Sequence, residues 1–490
     1  MSEIDRINPR PFEAVHEFQG TLSKGRSVLS DRHFVVTYST RQPSLIRGRI
    51  LGEESRDEAD RLSALMNQPG IYGSLRSKDT EYDGPIYESN KVLVRSSRGR
   101  LWPIEYGSKM VGVIAELEIE ELTTTYEKEH GENERLISFA LAGPKDFWPL
   151  YWSRLRSYTG ETEFKHDPPS VEIPNPTGAN LQFAPHYVFS SISFDDGREL
   201  GIEDYYHSII VKTDLPSTEI TDDEFQSQAI EIVNDLLLVA SVAARYWIDW
   251  FSFHFSASSK FVDHVRSRRE SFVESVGHRN TLVDRGQAFD FLTIAVQALR
   301  EHRDSGFDLY LPLITVMTAN TSELLEQRFL FYFMALEQLK DMYAQKRGLG
   351  RTVGSNSEGR CLIRDVNSYL DTRLADHPAL TLVKEKTVEL DRPPLWHVLE
   401  KLLLEYDVEW KDLYPPNTEK PTFIGVRNRL VHSAESLEPA QLYFETERLR
   451  VVLERLLLKL LRWQDTYGVA SSMAAKEIAA GPQDGKIVVD

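Results

Sequence analysis

Residues Phe423-Ile424-Gly425-Val426-Arg427-Asn428-Arg429-Leu430-Val431-His432 carry a conflict between pattern and chemistry. On a helix advancing about 100° per residue, Phe423, Ile424, Val426, Leu430 and Val431 fill one apolar arc, and Arg427 falls inside it. Burying a lone guanidinium is costly unless carboxylate, phosphate or carbonyl groups meet it. Arg427 therefore requires a partner, and an acid such as Glu337 is a candidate. Asn428 and His432 stand one turn apart, the i, i+4 relation in which an amide can orient an imidazole. A regular helix leaves Arg427 and His432 diverging by about 140°. They converge only if the helix loosens before Ser433 or a second copy of the chain supplies the missing half.

Outward from this stretch the period is helical. Ser322 to Gln345 places Leu325, Phe329, Phe333, Leu336 and Met342 at core spacing, with Glu337 either facing the same interior or at its polar margin. Phe289 to Arg303, Leu311 to Ala319, Cys361 to Leu374 and Leu395 to Tyr406 read as further helices. A final helix starts at Glu438-Pro439 and runs to about Tyr467. Between Gln345 and Arg360 the sequence reads as a long glycine-bearing loop in which Lys346, Arg347, Arg351 and Arg360 face one acid, Glu358. Such a reversal of charge suits either a phosphate-backbone contact or a solvated connection.

The first 215 residues follow a different rule. Short β-like runs, among them 34–38, 91–94, 111–119, 136–141 and 208–211, alternate with turn residues such as Gly143-Pro144-Lys145-Asp146 and Asp195-Asp196-Gly197-Arg198; a helix is expected near Glu54 to Met66. At Thr221-Asp222-Asp223-Glu224 the period changes to helical, with a capping residue and acids at the positive end of the dipole. Val233 to Phe255 is strongly apolar, but Asp235, Arg245 and Asp249 interrupt it and make it a buried helix rather than a membrane span. The expected fold is α+β and multidomain: a β-rich sensor or regulatory region over 1–215, a helical connecting region over 216–306, a helical bundle over 307–470 and a mobile tail over 471–490.

Composition bounds the function. With 490 residues the chain holds two or three domains, and a net charge of −18 argues against broad, non-specific affinity for polyanions. Cys361 is the single cysteine, which excludes an intrachain disulfide and a thiolate zinc site within one chain. The polar N-terminus lacks the apolar core of a signal peptide, so a cytoplasmic protein without a membrane anchor is expected. P-loop, Gly-x-Ser-x-Gly and His-Glu-x-x-His patterns do not occur. Asp195-Asp196 reads as a turn and Asp222-Asp223 as a helix start, while His254 and His264 make no recognisable ligand spacing. A second cationic cluster, Lys260, Arg266, Arg268 and Arg269 with Phe261 and Phe272 nearby, suits either a gripping surface or a solvated face.

The Arg-Asn-x3-His spacing, the Phe331-Tyr332-Phe333-Met334-Ala335-Leu336-Glu337-Gln338-Leu339 helix before it and the long amphipathic helix after it together resemble the HEPN superfamily, and more narrowly its Apea-like group. The resemblance covers about the last third of the chain at motif level. It implies a metal-independent endoribonuclease with no cofactor, acting as a toxin-like effector in antiviral defence. On that reading Arg427, Asn428 and His432 are catalytic and Glu337 and Arg429 supporting, while Lys346, Arg347, Arg351 and Arg360 bind RNA. The implied partners are RNA, tRNA included, a second copy through the helical domain and a phage protein as trigger. The rival reading is a non-catalytic HEPN-like dimerisation or interaction protein with a sensor domain.

Overall fold

The structure is a computed structural model that describes residues 13–39, 46–52, 64–65, 72–78, 85–95, 104–106, 109–127, 135–143, 147, 170–171, 180–194, 197–213, 219–257, 259–267, 281–351, 356–391, 393–415, 418–433, 438–464 and 478. The protein is mixed α and β, β-rich toward the N-terminus and helical toward the C-terminus. It divides into a β unit, Met1–Lys145 with Leu150–Asn234 and Ile248–Phe272, and a helical unit, Asp146–Pro149 with Asp235–Trp247 and Val273–Asp490.

The β unit begins with a closed barrel. Strands β1 (Glu13–Lys24), β2 (Ser27–Ser39), β3 (Ile46–Gly52), β4 (Gly73–Ser77), β5 (Ile86–Arg95) and β7 (Lys109–Ile119) pair in the cyclic order β1-β2-β3-β7-β5-β4, with β6 (Ile104–Tyr106) outside on β7. Alternation drives the closure: Ala14, His16, Phe18 and Leu22 point inward from β1 and meet Phe34, Val36, Ile50, Val92 and Leu117. His16 is accommodated by a bond to the Tyr38 hydroxyl at 3.2 Å. Gly20 is needed where β1 crosses β4, because a Cβ there would sit 2.5 Å from the Arg76 carbonyl oxygen.

Strand β5 is shared. Its end, Val92–Arg95, closes the barrel on β7, while its start, Ile86–Glu88, pairs with β8 (Glu121–Glu127). From β8 the sheet continues through β14 (Lys260–Arg266), β13 (Asp249–Ser256), β9 (Arg135–Ala142), β12 (Gly197–Thr213), β11 (Asn180–Phe194) and β10 (Ser170–Val171). Two expectations are corrected here. The apolar run Val233 to Phe255 is not one helix: helix α1 spans Asp222–Ala244, and Asp249 opens a strand. For the same reason 216–306 is not a purely helical connection, since β13 and β14 insert into the sheet between β9 and β8. Phe253 and Phe255, at period 2, are the buried signal that a helical reading absorbs. Helix α1 does start as the sequence dictates, with a reciprocal capping box in which Thr221 N–H donates to Glu224 (2.9 Å) and Glu224 N–H to Thr221 Oγ1 (3.2 Å). It is the one helix among the described residues long and apolar enough to cross a membrane, with a mean hydropathy of 1.4, and 72% of that window is buried inside the protein.

The helical unit contains α2 (Ala288–Asp304), α3 (Tyr310–Thr321), α4 (Leu325–Lys346), α5 (Asn356–Arg373), α6 (Leu380–Thr387), α7 (Leu395–Glu405), α8 (Phe423–Asn428) and α9 (Pro439–Leu460). Helix α4 packs on α3, α7 and α9, and α8 on α9. Helix α9 is buried on more than its leucine face: Glu445, Glu447, Arg450 and Glu454 are each no more than 4% exposed. These charges persist inside because they are paired. Arg245 forms a fork on Glu454 with two bonds of 2.7 Å, and Arg450 bridges Glu447 (2.5 Å) and Glu454 (3.3 Å). Arg245 adopts a left-handed φ of 55°, a conformation a non-glycine residue holds only when its surroundings fix it. The expected helix near Glu54 to Met66 lies outside the described residues except at 64–65, where helix is observed; the expected mobile tail also lies outside them except for buried Ile478.

Candidate functional site

The motif is anchored at its first turn. Thr422 Oγ1 donates to Glu445 on α9 (2.6 Å), and Arg448 bonds the same oxygen at 2.6 Å. Phe423 and Val426 are buried, with Phe423 edge-on to Phe333 of α4 at 6.3 Å. Beyond Asn428 the α-helix gives way to a π-helical turn, Arg429–Ser433. Its i→i+5 bonding widens the turn, so each residue advances through a smaller angle and the divergence between positions 427 and 432 shrinks. The loosening that the spacing requires is therefore present in the backbone. It also corrects one expectation: Val431 leaves the apolar arc and is 50% exposed. The backbone of His432 lies within the turn, while its side chain lies outside the described residues.

Arg427 has its anionic partner. Its guanidinium lies 3.6 Å from Glu337 of α4, with side-chain exposures of 27% and 31%, and 5.7 Å from the Phe333 ring centroid. Glu337 thus occupies the margin rather than the interior. A third contact runs from Arg427 Nη1 to Asn428 Oδ1, 3.3 Å. Together Phe333, Leu395 and Ile424 wall a cleft of about 470 Å³ whose polar side is Glu337, Glu389, Arg427 and Asn428. An anion entering this cleft must compete with Glu337 for Arg427. Arg429 is half-buried in the π turn.

The cationic loop is corrected. Helix α4 runs through Lys346 and α5 begins at Asn356, so Arg360 lies on a helix and the connection is short. Lys346 bonds Ser305 Oγ (3.2 Å), Arg347 pairs with Glu405, and Arg351 pairs with buried Asp391 (2.5 Å). Glu405 also accepts the Tyr343 hydroxyl at 2.7 Å. Burial and that carboxylate push the Tyr343 phenol up to about 12. Three of the four cations are thus tied to the helical unit's own oxygens, two as ion pairs and Lys346 by a hydrogen bond, while Arg360 has no such partner among the described residues.

In the second cluster, Arg266 pairs with Asp249 (3.0 Å) and lies over the Trp250 ring, and Lys260 pairs with Asp223 (2.7 Å); Arg268, Arg269 and Phe272 lie outside the described residues. His254 and His264 sit on paired strands, but each has its own partner: His254 bonds Asp263 (2.6 Å) and His264 bonds Thr123 (2.9 Å). Burial lowers the His264 imidazole to about 4. The unfolded chain binds its proton near the ordinary value of about 6.5, so stability is complete above that pH and is lost as pH falls toward 4, by up to about 3 kcal/mol. Urea unfolding of the β unit at pH 7 and pH 5 should reveal this loss in wild type and a smaller one in His264→Gln.

Among the described residues no group of three or more His, Cys, Asp or Glu side chains is placed to hold a metal ion. Sequence reasoning does not single out Thr422, Glu445, Arg448 or Glu389. Thr422 directly before the motif is the one signal that could have directed attention to a helix start. Searches against family models, curated proteins and solved structures give no match to the chain.

Proposed function

We propose that the protein is a metal-independent RNA endonuclease of the HEPN type, of the Apea-like group, working as a homodimer and as a toxin-like effector in anti-phage defence. The observation that carries the proposal is Arg427 held at the wall of a cleft, at an α-to-π junction that narrows the angle between positions 427 and 432. Cleavage would run by attack of the ribose 2′-oxygen on the adjacent phosphorus. The O2′–P bond forms, the P–O5′ bond breaks, and the products are a 2′,3′-cyclic phosphate and a 5′-hydroxyl. Arg427 would offset charge on the phosphorane oxygens, and His432 would move a proton as general acid or base. Asn428, already bonded to Arg427, would hold the guanidinium or contact phosphate.

Met334 (46% exposed) on α4 and Val431 (50%) in the π turn are apolar side chains that a second copy docking through the helical unit could cover. That copy would supply the second histidine, so one could accept the 2′-proton while the other protonates the 5′-oxygen. The β unit would sense the trigger, a phage protein, and the substrate would be RNA, tRNA included. The Arg427–Glu337 ion pair also supports a second reading, a non-catalytic interaction domain in which Arg427 serves packing.

One experiment separates them. Wild type, Arg427→Ala and His432→Ala are compared for growth inhibition and for cleavage of total cellular RNA in EDTA. Wild type alone should cleave, with EDTA present. Equal behaviour of all three folded proteins would reject catalysis, and loss of wild-type cleavage in EDTA would reject the metal-independent mechanism.

A further inference from the structure

Helix α5 presents a groove of about 470 Å³ lined by Arg360, Ile363, Arg364, Asn367, Ser368 and Asp371. All six positions fall on one face by helical spacing. Two guanidiniums, an amide and a hydroxyl thus stand in a row in a chain whose net charge is −18. The acids nearby leave that row cationic. Asp371 is paired with Lys384 of α6 at 2.5 Å, and Asp365 lies 3.3 Å from Arg364 in a contact between two largely exposed side chains. Such an exposed pair contributes little and is readily exchanged for another anion. Arg360 has no ion pair at all among the described residues.

The groove and the Arg427 cleft are linked through neighbouring residues. The short helical turn Val388–Asp391 joins them: Glu389 lines the cleft, while the Asp391 carboxylate packs against Gly359 so closely that a Cβ there would clash with it. Residues 389 and 391 are separated by at most ~7 Å of chain, and Gly359 directly precedes Arg360. Arg360 and Arg364 are about 6 Å apart along the helix axis, comparable with one nucleotide step of an extended strand. Asn367 is bonded to Thr387 of α6 (2.9 Å), which holds α6 against the helix that carries the row.

We propose that this face of α5 is a phosphate-backbone subsite for single-stranded RNA, gripping the strand beyond the nucleotide held at Arg427, with Arg360 and Arg364 as the phosphate ligands. The inference rests on the ribonuclease reading. It moves the RNA contact from a loop to a helix face, and from Lys346, Arg347 and Arg351 to Arg364 and Arg360.

The test uses the full-length protein and a 2′-O-methyl single-stranded oligoribonucleotide, which lacks the attacking hydroxyl and reports binding without cleavage. Fluorescence anisotropy should show at least about tenfold weaker binding for Arg360→Glu/Arg364→Glu, and a salt dependence shallower by one to two phosphate contacts for Arg360→Gln/Arg364→Gln. Arg360→Lys/Arg364→Lys should retain most of the affinity. Circular dichroism checks that the variants fold, which these exposed positions permit. If wild type cleaves RNA and the charge-reversed protein binds the oligonucleotide equally well, the subsite is wrong and the ribonuclease reading stands. If wild type neither binds nor cleaves RNA, the ribonuclease reading fails and the subsite fails with it. A folded charge-reversed protein that keeps its RNA affinity but loses a bound polypeptide assigns the groove to a protein partner and also overturns the proposal.

Discussion

Arg427→Ala is expected to lower kcat/KM for RNA cleavage by about 10²-fold or more while leaving the helical unit folded. The magnitude follows from removing a fixed cation beside developing charge, which costs about 2.7–4 kcal/mol where such donors have been removed from other enzymes. The modest structural cost follows from exposure. Arg427 and Glu337 are each about a third exposed, so Glu337 regains water when the guanidinium is lost. Arg427→Lys should restore the charge but little of the activity, because an ammonium lacks the planar fork. Rates from single turnover, with thermal unfolding measured on the same samples, check both halves. A variant as active as wild type, or one inactive only because it is unfolded, contradicts the assignment.

Glu454→Ala is expected to have the largest effect on stability, a loss of about 3–5 kcal/mol. Truncation removes the carboxylate to which the guanidinium of Arg245, 5% exposed, makes two 2.7 Å bonds, and it removes an acidic partner of Arg450. Replacing the pair together, Arg245→Met with Glu454→Leu, should recover most of the loss, since two apolar side chains leave no buried charge unpaired. Urea unfolding followed by a signal from the helical unit checks the order: Glu454→Ala least stable, the double variant between it and wild type or above. Equal stability of Glu454→Ala and wild type would mean that the network is solvated in solution.

Much of this fold was legible because the relevant forces are local. Short β-like runs between turn residues marked β2, β5, β7 and β9, and the Thr221–Glu224 segment marked the start of α1 to the residue. The failures have a common cause, which is that the deciding contact is distant in sequence. Asp249–Ser256 is apolar enough to continue α1, and only pairing with β9 and β14 makes it a strand. The burial of the α9 charges is not visible in α9 itself, because Arg245 lies 209 positions from Glu454.

The site divides in the same way. The anionic partner required by Arg427 could be argued from a helical wheel, and so could the need for a loosened turn; Glu337 and the π turn at Arg429–Ser433 answer both. The cationic loop misled, because local charge excess says nothing about Ser305, Glu405 and Asp391, which occupy three of its four cations. Closure of the barrel through β5 and β7 was likewise beyond a reading of single strands.

The central claim is that Arg427 and His432 direct transesterification by the RNA's own 2′-hydroxyl. The most direct measurement is the chemistry of the ends left on RNA cut by the purified protein, compared with those from His432→Ala. The account predicts 2′,3′-cyclic phosphate and 5′-hydroxyl ends from wild type and no such ends above background from His432→Ala. Fragments ending in 3′-hydroxyl and 5′-phosphate, or cyclic phosphate ends formed equally by both proteins, would contradict it.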